Sequence, residues 1–195
     1  MMATSHNKNT QLCHDHENCA HGAPKEIDQT LDEIKFEKSI FNACVIGDLE
    51  KIKLLVNKHG SSILNQQDKN GYSGLHYAAR NSHYEICKYL IENNVNVNIK
   101  TFSCESTALH RAAFIGNEKV VQLLLENKAT GNLQDCDGKT SLHKCIEQYI
   151  KNNSENFKRT INILLKHDSS LLEIRDKKNK TPLDYCPDLI KNSLQ

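Results

Sequence analysis

Apolar residues return in a helical rhythm from about residue 38 onward, in stretches separated by short polar breaks. Ile52/Leu55/Val56, Cys87/Leu90/Ile91, Val121/Leu124/Leu125 and Ile161/Leu164/Leu165 each place apolar side chains at i, i+3 and i+4. That spacing predicts one core-facing stripe per helix. A shorter segment of Leu-His and small residues runs ahead of the last three stripes: Leu75-His76 with Ala78 and Ala79, Leu109-His110 with Ala112 and Ala113, and Leu142-His143. It predicts a short first helix, with Ser73, Thr107 and Thr140 suited to capping its N-terminus. Asn70-Gly71 and Asp137-Gly138 precede two of these caps and supply turns, since glycine tolerates positive φ.

His76, His110 and His143 stand 34 and 33 residues apart. Self-similarity at such a period means stacked helix pairs, because one pair alone cannot bury its stripe. The expected fold is therefore an all-α repeat solenoid of four full or near-full repeats plus a truncated C-terminal capping repeat. The units fall at about 38–68, 69–101, 102–135, 136–176 and 177–195. The first, "SIFNACVIGDLEKIKLLV", lacks the Leu-His segment, as terminal units do. The third turn, "KTFSCEST", is one residue longer than its neighbours and has no glycine. Leu142 to Leu183 spans 41 residues, about seven beyond the period, and the excess within "EQYIKNNSENFKR" reads as a surface loop or an extended helix end. Pro187 is expected to cut the last unit short, leaving 188–194 as a closing cap.

Turn-glycine, Ser/Thr, Leu-His-x-Ala-Ala and a second amphipathic helix together resemble the ankyrin repeat, over about residues 38–190. The resemblance implies that His76, His110 and His143 bond to backbone and threonine hydroxyl and brace adjacent repeats. It also implies a concave surface, made of turn tips and first helices, that receives a protein partner. On this chain the matching variable positions include Tyr72, Arg80, Asn81, Phe102, Phe114, Ile115, Lys139 and Glu147. Phe114 and Ile115 stand out as two large apolar residues after an Ala-Ala pair, and aromatic and Arg anchors dominate interface energies. Some family members carry a hydroxylated asparagine in Leu-x5-Asp-Val-Asn. "LIENNVNVN" matches up to Asn98 except for Asn96, which makes Asn98 the candidate site.

Charge adds little: 25 Lys+Arg stand against 24 Asp+Glu, so no basic field calls for direct nucleic-acid contact. No apolar run approaches the ~20 residues that span a bilayer, and the polar opening lacks the apolar stretch of a secretory leader. The expectation is an intracellular monomer, in cytoplasm and/or nucleus. Cys44, Cys87 and Cys145 read as small buried apolar residues. The segment 1–25 is a Cys/His-rich tail, disordered or metal-linked, and 26–37 a linker helix. Within "CHDHENCAH", Cys13, His16, Cys19 and His21 have zinc-ligand chemistry. The spacing matches no standard finger, and His14 is an alternate ligand. Zinc is the one cofactor the chain suggests.

No phosphate-cradling loop, no nucleophile elbow and no catalytic Cys-His pairing beyond the repeat-spaced structural residues is seen, which argues against an enzyme. The reading is a non-enzymatic adaptor or scaffold. The alternative is a transcription-linked nuclear adaptor acting through a DNA-bound partner, with a zinc-stabilised N-terminal segment.

Overall fold

The computed structural model of the chain describes residues 39–186. The tail 1–25 with Cys13, His16, Cys19 and His21, the linker 26–37 and Pro187 lie outside the described residues.

Four helix pairs stack in one direction. The first helices are α1 (Ile40–Ile46), α3 (Gly74–Arg80), α5 (Ala108–Ile115) and α7 (Ser141–Asn152). The second helices are α2 (Leu49–His59), α4 (Tyr84–Glu92), α6 (Glu118–Glu126) and α8 (Glu155–His167). Each first helix packs on the next one along the stack, and the short 3-10 turn Pro182–Tyr185 closes the row against α7. Second helices form a parallel outer row, α4 on α6 and α6 on α8. The described residues hold one isolated antiparallel bridge, Gln67 to Ser73, so the fold is all-α.

The stripes read from the sequence supply the core. Ile52, Cys87, Leu90, Val121, Leu124, Ile161 and Leu164 are fully buried, and small residues on the first helices (Ala43, Cys44, Ala78, Ala79, Ala112, Ala113) let that row approach closely. Fully burying a Leu or Ile side chain contributes about 1.5–3 kcal/mol, and every inner repeat buries such side chains on two sides.

The extra residues of the fourth repeat form helix rather than loop. α7 and α8 run for 12 and 13 residues, against 7 to 9 in the two preceding pairs. The added length brings its own apolar residues, since Tyr149 and Phe157 are buried. Phe157 covers Gly116 at the end of α5, where an added Cβ would meet its ring at 2.7 Å.

Candidate functional site

Each hairpin on the inner face hangs on one side chain. Asp68 Oδ1 accepts from the N–H groups of Asn70 (2.9 Å) and Tyr72 (2.8 Å), while Oδ2 accepts from the Tyr77 hydroxyl at 2.6 Å. Asp135 repeats the pattern with the N–H groups of Asp137 and Lys139, both at 2.9 Å, and with Lys144 Nζ at 3.1 Å. Asp176 does so with Lys178 (2.8 Å), Lys180 (2.9 Å) and the Tyr185 hydroxyl. One carboxylate thus holds the turn and ties it to the first helix that follows. The longer third hairpin has Thr101 in this place, its Oγ1 accepting only from Ser106 N–H at 3.0 Å.

The Leu-His histidines begin those first helices. His76 Nδ1 accepts from Ser73 N–H at 3.1 Å and lies 2.9 Å from the Ser73 hydroxyl, while Nε2 is 2.9 Å from the Ser106 carbonyl of the next repeat. A carbonyl only accepts, so the proton belongs on Nε2. His110 makes the same bonds with Thr107 and the Lys139 carbonyl (3.1 Å), and His143 with Thr140 and the Lys180 carbonyl (3.2 Å). Burial pushes His76 and His110 down to about 4 and also lowers His143. All three rings are neutral struts between repeats.

Further ties join the hairpins themselves. Gln67 and Gln134 Nε2 donate to the Lys100 and Arg175 carbonyls of the following hairpin, both at 2.9 Å, and Lys100 Nζ donates to the Gln134 carbonyl at 2.9 Å. Asn98 is engaged at both ends of its amide: Nδ2 donates to the Lys128 carbonyl (3.0 Å) and Oδ1 accepts from Thr130 N–H (2.9 Å).

The candidate partner-binding residues divide into two groups. Tyr72, Lys139 and Glu147 are committed to neighbours. Lys139 Nζ and Glu147 Oε1 pair at 2.5 Å with little solvent on either side chain, and Lys139 also lies 5.3 Å from the Tyr185 ring centroid. The Tyr72 hydroxyl accepts from Arg111 Nη2 at 2.6 Å, with the guanidinium 5.1 Å from the ring centroid. Arg80 and Phe114 are partly buried, and Asn81, whose Nδ2 donates to the Tyr77 carbonyl at 2.9 Å, is exposed. Among these candidates the large apolar side chains left to solvent are Phe102, 66% exposed at a hairpin tip, and Ile115, 39% exposed at the end of α5; outside them Ile46 and Leu54 are exposed too.

One row escaped the sequence reading: the residue directly after each Leu-His or Leu-Asp, namely Tyr77, Arg111, Lys144 and Tyr185. These side chains turn inward and bond to hairpin residues. Tyr77, Lys144 and Tyr185 share a spacing of nine from the hairpin acid, whereas Arg111 stands ten after Thr101.

Elsewhere among the described residues the chemistry is muted. Burial pushes the Cys44 and Cys87 thiols up to about 12 and raises Cys145 as well, so these three are not thiolates at neutral pH. Among the described residues no group of three His, Cys, Asp or Glu could hold a metal ion, and no helix is long and apolar enough to cross a membrane.

Comparison with known proteins follows the same lines. A family model described as "Ankyrin repeats (many copies)" matches residues 40–91 and 75–125, and one described as "Ankyrin repeats (3 copies)" matches residues 109–189. Ankyrin repeat domain-containing protein 39 of Homo sapiens is 39% identical over 90 residues, which is 46% of this chain and 48% of that protein. Its Bos taurus counterpart is 44% identical over 73 residues, covering 37% of this chain and 39% of the relative. The probable 26S proteasome regulatory subunit p28 of Saccharomyces cerevisiae is 35% identical over 107 residues, covering 54% and 46%. The match spans less than half the length of each of these relatives.

Proposed function

The chain belongs to the ankyrin-repeat family, and from that premise we propose that it is a non-enzymatic adaptor or scaffold that seats a protein partner on its concave face. Ankyrin repeats are general protein–protein interaction modules. Function still has to be argued from the surface itself. The observation that carries the reading is the contrast within that face. Hairpin and helix polar groups are largely spent on one another, whereas Phe102 and Ile115 stand exposed and Phe114, next to Ile115 in sequence, stands half-buried. Exposed large apolar side chains at such positions are the anchors that interfaces use.

The test compares three full-length baits in affinity mass spectrometry: wild type, Phe114→Ser/Ile115→Ser, and Lys88→Glu/Glu92→Lys on the outer helix α4. The proteins enriched by wild type should be lost with the first variant and kept with the second, at matched melting temperatures. Truncating an anchor typically costs 2 kcal/mol or more, about thirtyfold in Kd. Proteins retained by the Phe114/Ile115 variant and lost with the α4 variant would move the interface to the outer row.

A further inference from the structure

Arg111 is the member of its row whose hairpin gives it no acid. Tyr77, Lys144 and Tyr185 each reach a carboxylate in their own hairpin, Asp68, Asp135 and Asp176 respectively. The third hairpin has Thr101 at that place, and its side chain is occupied by Ser106 N–H. Arg111 therefore reaches back to the preceding repeat, where Nη2 donates to the Tyr72 hydroxyl and the guanidinium lies against the Tyr72 ring. Its Nε is shielded from solvent and has no acceptor among the described residues. The acids of the neighbouring hairpins are already taken, Asp68 by Tyr77 and two N–H groups, Asp135 by Lys144 and two more.

A partly buried guanidinium without a carboxylate is unusual, because removing the charge from water is costly unless an anion faces it. Here the cation is also held in place in advance by the Tyr72 hydroxyl and ring, and a planar fork suits a carboxylate. Phe114 and Ile115 stand three and four residues further along α5, on the same side of the helix as Arg111. The other acid of the fourth hairpin tip, Asp137, belongs to the next repeat, where its N–H is held by Asp135.

We propose that this spot receives a partner's aspartate or glutamate, with a large apolar residue of the same segment resting on Phe114 and Ile115. The partner supplies the carboxylate that Thr101 does not. This inference rests on the concave-face reading and narrows it to an acidic-apolar protein segment.

The test is a random peptide library displayed on phage and selected against the full chain, the Arg111→Gln variant and the Phe114→Ser/Ile115→Ser variant, all checked for unchanged melting. Wild type should enrich peptides with Asp or Glu within a few residues of Leu, Ile or Phe. Arg111→Gln should lose the acidic preference and keep the apolar one. A selected peptide should bind the Arg111→Gln variant at least about tenfold more weakly. Replacing its acid by the amide should cost the same factor on wild type and nothing on that variant. Peptides that need Phe114 and Ile115 but show no acidic preference, or whose acid matters equally with Gln at 111, would overturn the Arg111 site alone. Peptides indifferent to all the concave substitutions, or no enrichment at all, would overturn the concave-face reading as well.

Discussion

His76 and His110 show how little of the chemistry among the described residues is free to react. Each ring spends Nδ1 on its own helix cap and Nε2 on a carbonyl one repeat away, and burial holds both near about 4. The unfolded chain takes up protons at an ordinary 6.5, while the folded rings refuse them until about 4. Stability from these two residues is complete above 6.5 and is lost as pH falls from 6.5 toward 4, by at most about 3 kcal/mol for each ring. Urea midpoints across that window should fall steeply for wild type and less steeply for His76→Gln/His110→Gln. In that variant a glutamine at the third helical position still reaches back to the cap. The histidines were legible because Leu-His recurs at a fixed period. The row after them was not, since Tyr77, Arg111, Lys144 and Tyr185 share no chemical type. What unites them is that each side chain bonds to a hairpin residue in the fold, an acid for three of them and the Tyr72 hydroxyl for Arg111.

Elements were legible in proportion to their regularity. The four apolar stripes located α2, α4, α6 and α8 because an i, i+3, i+4 pattern has few other uses. The fourth repeat left two readings open, loop or longer helix. Its polar, Asn-rich stretch hid Tyr149 and Phe157, and Phe157 packs against Gly116 at the end of α5. The hairpins offer a paired test. Gly71 has φ +84°, and a Cβ there would sit 2.3 Å from Phe102 N in the next hairpin. Gly71→Ala should therefore destabilise by about 2 kcal/mol or more, from left-handed strain plus a backbone clash. The glycine-free third hairpin puts Glu105 at φ 49°. Glu105→Gly should gain up to about 1 kcal/mol, because the strain it relieves exceeds the worth of an exposed pair with Lys100. Equilibrium unfolding of the two variants reads both signs.

Across the whole molecule, neighbouring repeats are coupled in three registers at once. Apolar stripes close on one another, histidines cross from cap to carbonyl, and hairpin tips bond edge to edge, with Phe102, Cys136 and Lys177 N–H donating to the Asn70, Cys104 and Asp137 carbonyls. Such coupling gives a stiff inner face whose shape is set before any partner arrives. A stiff face is suited to holding a segment without the entropy of ordering itself. The most direct check is hydrogen–deuterium exchange of the full chain, alone and saturated with a partner recovered by the wild-type bait. Exchange should slow in the hairpins around 68–73, 101–107 and 135–140 and at the C-terminal end of α5, with α4, α6 and α8 unchanged. Slowing confined to α4, α6 and α8, with those hairpins and α5 as in the free chain, would contradict the account.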